Sequence, residues 1–178
     1  METTTTPRSQ MSVAFRYAII CALITIIYFI ILWLLKLESN KAAGWVSYLI
    51  LIAVMFIGIK DYRDKDNGGF IQYGKALSTG VLIAFFTGIF YAVFIFIFVS
   101  FIDPQFIQNI LDTARQSMVE KGTASDEQIE MAMKYTKMFT TPPMIALFSI
   151  LGYAFMGLII SLIESAILKK DNPQMPQA

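Results

Sequence analysis

Four long runs of apolar residues dominate the chain: residues 17–35, 42–59, 76–102 and 142–163. None of the four runs contains a charged residue. A helix needs about 20 predominantly apolar residues to cross the hydrocarbon core of a bilayer. The pattern therefore predicts an all-α integral membrane protein, with four transmembrane helices in a bundle that forms one domain over residues 1–170. The first run is too long for a signal peptide and has no small-x-small cleavage site after it, so we expect it to be an uncleaved span.

The last inter-span loop, residues 103–141, is too long and too patterned to be a simple connection. Asp103 as N-cap and Pro104 at the first helical position predict a helix that ends at Gly122. Ser125 and Gln128 have the spacing of a capping box, which predicts a second helix. In that helix one set of residues is predicted to share the apolar face: Ile129, Ala132, Tyr135, Thr136 and Phe139. We expect two short amphipathic helices here, as a structural lid or at the lipid interface. Residues 171–178 are expected to form a disordered tail.

Small residues recur at every fourth position of the third run, at Ala76, Gly80, Ala84, Gly88 and Ala92. A second row in the last run steps by four in the same way and consists of Ser149, Tyr153, Gly157, Ser161 and Ser165. In lipid, close backbone approach along small-xxx-small faces drives helices together. We therefore predict a packing seam whose main residues are Ala76, Gly80, Ala84, Gly88, Ala92, Gly157 and Ser161.

The glycine-rich stretch before the third run, "DNGGFIQYGK", invites two other readings. A phosphate-binding loop would need a preceding strand and a particular lysine spacing, and neither is present. A calcium-binding EF-hand loop would need glutamate at its twelfth position, where Lys75 stands. Asparagine and glycine tolerate positive φ, so "DNGG" is instead interpreted as a turn.

The amino-acid composition limits the kinds of binding and catalysis that we expect of the chain. Of the 178 residues 56% are hydrophobic and only 15% are charged, and the formal net charge is +1. Nothing here favours nucleic-acid binding. The chain has no histidine and a single cysteine, Cys21, so the commonest general base and metal ligand are missing. We expect no catalytic residues, no metal and no cofactor.

The distribution of Lys and Arg predicts orientation. The N-terminal segment, the second loop and the C-terminal segment carry eight of the 14 basic residues, and the opposite side carries six. The positive-inside rule then favours both termini in the cytoplasm.

Glu164 is the one acidic residue within an otherwise apolar helix, and such carboxylates are candidates for function. It lies near the span end, where it could pair with Arg16, Lys60 or Lys75. Glu164 and Arg16 are therefore the candidate intramembrane polar site. A structural ion pair is favoured over a proton or solute relay.

The segments "GGFIQYGKALSTG", "FIDPQF", "ASDEQIEMAMKYTKMFTTP" and "GLIISLIESAILKK" together resemble the bacterial membrane proteins grouped as domain of unknown function 4199. The resemblance implies a small multi-pass protein of the bacterial inner membrane and brings no activity with it. The leading expectation is a non-enzymatic structural or accessory protein, which lies in the lipid bilayer and works through helix–helix contacts with itself or another membrane protein. The alternative is a subunit of a small-solute or ion transporter or channel.

Overall fold

The computed structural model describes residues 7–37, 40–122 and 125–171, and 86% of these residues are helical. Six α-helices follow one another: α1 (Gln10–Leu34), α2 (Lys41–Asp61), α3 (Tyr73–Ile97), α4 (Gln105–Lys121), α5 (Asp126–Phe139) and α6 (Pro142–Leu168). Single π-helical turns extend α2 over Tyr62–Asp66 and α3 over Phe98–Ile102. The described part of the chain contains no β-strand. The tail predicted for residues 171–178 lies, except for Asp171, outside the described residues.

Four of the helices are long and apolar enough to cross a membrane: Gln10–Leu34, Ala42–Asp66, Tyr73–Ile102 and Pro142–Leu168. The all-α class with four such helices is confirmed. Several helices extend beyond the uncharged runs from which they were predicted, because a polar residue near a helix end does not interrupt backbone hydrogen bonding. Thus α1 begins seven residues before the first run, at Gln10, where the Ser9 side chain caps it by accepting from the amide of Ser12.

The backbone divides into two compact units, Met1–Phe90 with Ile150–Ala178, and Tyr91–Ser149. In the first unit α1 and α2 are antiparallel. The Tyr28 hydroxyl donates to the Ala43 carbonyl at 2.9 Å near one end, and Arg8 reaches Asp61 and Asp66 near the other.

Two apolar clusters fill the first unit. One cluster consists of Ala14, Cys21, Leu51, Val54, Met55, Ile83, Ala84 and Ile160, which come from all four of its helices. The other consists of Val13, Ile59, Tyr62, Ile71, Ala76 and Leu168. The chain before α3 pairs with the chain after α6, where Ile71 and Lys170 exchange two backbone hydrogen bonds of 2.9 Å.

The second unit contains the end of α3, helices α4 and α5, and the first turns of α6. Helix α4 begins at Gln105 with Pro104 as the N-cap, one residue later than predicted, because Pro104 and not Asp103 holds the capping position. Gly122 ends α4 in the left-handed conformation at φ 61°, and the capping box of Ser125 and Gln128 is formed at the start of α5.

The apolar face predicted for α5 is only partly correct. Ile129 is buried, at 6% exposure, whereas Tyr135 is 58% exposed. At 100° per residue, Ile129 and Tyr135 lie 120° apart around the axis in the shorter direction, so they stand at opposite edges of the predicted face. Tyr135 instead joins Met131 and Met138 on a separate exposed apolar stripe.

Candidate functional site

The small-residue rows of α3 and α6 lie against each other in an antiparallel register. Gly80 faces Ser161, Ala84 faces Gly157, and Gly88 faces Tyr153, so four residues forward along α3 correspond to four residues back along α6. This set of three contacts is called the α3–α6 seam below. It lies wholly within the first compact unit.

A side chain has no room at the three glycines of the α3–α6 seam. A Cβ added at Gly80 would meet the Ser161 hydroxyl, and one at Gly157 would meet the Ala84 methyl group. At Gly88 an added Cβ would stand 2.9 Å from the Tyr153 Cβ and 3.2 Å from the Ile150 Cα. These contacts are the close helix approach that small residues permit.

The two remaining residues of the predicted seam are buried as well. Ala76 belongs to the apolar cluster that includes Val13, Ile59 and Leu168. Ala92 is buried, but it lies in the unit Tyr91–Ser149 and is therefore not part of the α3–α6 seam as defined here.

One close approach was missed in the sequence. A Cβ added at Gly58 of α2 would stand 2.7 Å from the Ile83 Cδ1 and 3.0 Å from the Tyr17 Cγ. Gly58 stands alone, with no small residue four positions away on either side, so spacing gave no signal for it.

Three polar side chains share one face of α6 near its end. Ser161, Glu164 and Ser165 are spaced i, i+3 and i+4, which places them on the same side of the helix. Glu164 is only 4% exposed, and both serines are fully buried. Both carboxyl oxygens and both hydroxyl oxygens have no hydrogen-bond partner among the described residues. We call Ser161, Glu164 and Ser165 the α6 polar triplet.

The structure does not bring Arg16 to Glu164. Arg16, Lys60 and Lys75 are all exposed, and Glu164 forms no ion pair with any described residue. The ion pair expected from the sequence fails because Glu164 faces the interior of the bundle while the three basic side chains face outward.

The charges that do pair lie where the N-terminal segment meets the end of α2. The Arg8 Nη2 lies 2.8 Å from the Asp61 Oδ2 and 2.7 Å from the Asp66 Oδ2. These hydrogen bonds, to Asp66 first and Asp61 second, raise the pKa of Arg8 above its ordinary value. Lys65 also pairs with Asp61. Little in the sequence indicated this ion pair, because 58 positions separate Arg8 from Asp66. Its only signal was the presence of opposite charges near the ends of two predicted spans.

The described residues contain no group of three His, Cys, Asp or Glu side chains that could hold a metal ion. Multi-pass helical membrane proteins share three features: long apolar helices, seams of small residues, and charges gathered at the span ends. This chain is a multi-pass membrane protein in contact with the lipid bilayer. More particularly, the chain belongs to the family described as "Protein of unknown function (DUF4199)", whose family model matches residues 16–170. No curated protein and no solved structure matches the chain.

Proposed function

We propose that the protein is a non-enzymatic structural or accessory protein of the bacterial inner membrane, which works through helix–helix contacts with itself or another membrane protein. The α3–α6 seam is the observation that carries this proposal. Its helices approach so closely that an added methyl group would collide at each glycine. A seam closed in this way leaves no passage between the α3 and α6 backbones, which supports a role in packing rather than a conduit between these two helices.

The outer surface has the chemistry that such contacts need. Large apolar side chains are exposed on every spanning helix, for example Ile27 of α1, Trp45 of α2, Val93 of α3 and Phe155 of α6. Lipid chains and other apolar helices can both cover these side chains. A partner helix replaces lipid where its surface packs more closely against them.

Both termini are proposed to lie in the cytoplasm. Arg8 contacts Asp66, the Arg63 guanidinium donates to the Leu168 carbonyl at 3.2 Å, and Ile71 pairs with Lys170. The N-terminal segment, the α2–α3 loop and the C-terminal segment therefore meet at one end of the first unit. Concentrating basic residues at one end supports cytoplasmic placement of that end. Reporter fusions at each terminus would test it, and a periplasm-active reporter at either terminus would contradict it.

Photo-crosslinking in native membranes would test the proposed contacts. A photoreactive phenylalanine is placed at the exposed Trp45, Val93 or Phe155, and at the buried Phe98 as the matched interior position. We expect a protein adduct of defined mass from at least one exposed position and none from Phe98. Adducts with lipid alone at all three exposed positions would contradict the proposal.

A second candidate function is transport of an ion or small solute, and the unpartnered Glu164 favours it. The purified protein in sealed vesicles would distinguish the two candidates. The leading proposal expects the flux of protons and Na⁺ to equal that of empty vesicles. A flux that disappears in Glu164→Gln, with thermal stability unchanged, would instead support transport.

A further inference from the structure

The α6 polar triplet occupies an unusual place in the fold. Glu164 lies four residues after Ile160 and four before Leu168, so all three lie in one row of α6. Ile160 belongs to one apolar cluster and Leu168 to the other. Glu164 therefore lies on α6 between a residue of each apolar cluster, and it is only 4% exposed.

The buried polar side chain that precedes Gly80 in α3 is already engaged. Thr79 of α3 is fully buried, but its hydroxyl donates to the Lys75 carbonyl at 2.7 Å and accepts from the Gln10 amide at 3.1 Å. At the same level Gly80 has no side chain, and an added Cβ there would stand 3.1 Å from the Ile59 Cδ1.

The basic side chains at this end of the bundle are engaged elsewhere or exposed. Arg8 pairs with Asp61 and Asp66, and Lys65 also pairs with Asp61. Arg63 pairs with Asp64 and donates to the Leu168 carbonyl. Lys75 donates to Asn67 and lies over the Tyr62 ring, and Lys170 lies over the Phe70 ring. The other basic side chains that the structure describes at this end, Arg16, Lys60 and Lys169, are exposed.

A buried carboxylate without a countercharge is unstable, and it becomes stable when a proton or a bound cation neutralises it. The triplet carries one formal negative charge, so a single positive charge balances it, whereas a divalent ion would leave an excess positive charge in the bundle. Hydroxyl groups donate and accept hydrogen bonds, and their oxygens suit hard cations. All four unpartnered oxygens of the triplet are thus suited to one small monovalent cation.

We propose that Glu164, Ser161 and Ser165 form a buried binding site for one monovalent cation, either a proton or Na⁺. With a proton bound, the neutral carboxyl group donates to a serine hydroxyl. With Na⁺ bound, the carboxylate and the two hydroxyl oxygens act as its ligands. The proposed role in helix contacts needs no cation at this site, although Ser161 also faces Gly80 in the α3–α6 seam.

Labelling with a hydrophobic carbodiimide, which modifies protonated carboxyl groups, tests the proposal on the purified full-length protein in vesicles. The adduct at Glu164 is quantified by mass spectrometry in choline chloride and in NaCl at neutral pH. The exposed Glu120, Glu127 and Glu130 are internal controls. An infrared difference spectrum, in which the spectrum of Glu164→Gln is subtracted from that of the wild type, is recorded in the same two salts. It shows whether the carbonyl band of a protonated Glu164 is present.

A proton site predicts an adduct at Glu164, little adduct at the three controls, and a protonated-acid band in both salts. A Na⁺ site predicts that the adduct and the band are present in choline and are suppressed as NaCl replaces it. Ser161→Ala should then raise the half-protecting Na⁺ concentration about tenfold, since one ligand to the charge is lost. Absence of both the adduct and the band in both salts, in a protein whose thermal unfolding is cooperative, would overturn the proposal.

Discussion

Replacing Gly88 by alanine should loosen the contact between α3 and α6. The new Cβ would stand 2.9 Å from the Tyr153 Cβ and 3.3 Å from the Ile150 carbonyl oxygen. Carbon atoms in favourable contact lie about 3.5–4.0 Å apart, so the helices must separate by at least about 0.6 Å. The obstructing atoms are backbone atoms or a Cβ and cannot move aside as the end of a long side chain can.

Gly152→Ala is the matched control, because an added Cβ at Gly152 has no neighbour within 4 Å. Each substitution gains about 0.5–1 kcal/mol by removing a glycine from a helix interior, so this gain cancels between the two variants. The overpacking at Gly88 remains, and it costs about 1–3 kcal/mol. For a chain of this size the Tm of Gly88→Ala should lie about 2–12 °C below that of Gly152→Ala. Equal Tm values in the same detergent would refute the close approach of α3 and α6.

Three further substitutions test other contacts by thermal unfolding or hydrogen exchange. Arg8→Met should lower the free energy of unfolding by about 1.5–3 kcal/mol, because Asp61 and Asp66 lose a charged partner. The control Arg16→Met, at an exposed position, should have little effect, and equal losses in the two variants would contradict the ion-pair assignment. Gly122→Ala should destabilise by about 1–2 kcal/mol, because alanine is strained at φ 61°, and an unchanged Tm would argue against the left-handed cap. Ser125→Ala should cost about 1 kcal/mol and speed amide exchange in the first turn of α5; unchanged exchange there would mean that the capping box does not stabilise the helix.

The four long apolar helices and the two short helices α4 and α5 could be predicted because their signals are local. Absence of charge over about 20 residues indicates a span by itself, and the capping box at Ser125 needs only four consecutive residues. The spacing of small residues identified Gly80, Gly88 and Gly157, since every fourth residue of a helix lies close to the same face.

Other features depend on which distant segments meet, and spacing along one helix carries no information about that. Arg8 and Asp66 pair because the N-terminal segment lies beside the end of α2. The rotation of α6 decides whether Glu164 faces inward or toward Arg16, and that rotation is set by packing around Ile160 and Leu168. A charge near a span end can also reach water by extending its side chain, which made an ion pair the natural expectation for Glu164.

Disulfide trapping in native membranes tests most directly whether α3 and α6 meet along their small residues. In a Cys21→Ala background, Gly80→Cys is combined with Ser161→Cys. The Ser161 Cβ lies 3.1 Å from a Cβ built at Gly80. Disulfides need about 3.5–4.5 Å between the two Cβ atoms, so a separation of the helices by about 0.4 Å brings this pair into range. The control pair joins Gly80→Cys to Gly152→Cys, about 13 Å away from Ser161 along α6. We expect oxidation to give an intramolecular disulfide in the first pair and not in the control. No disulfide in the first pair, or equal yields in the two pairs, would contradict the account.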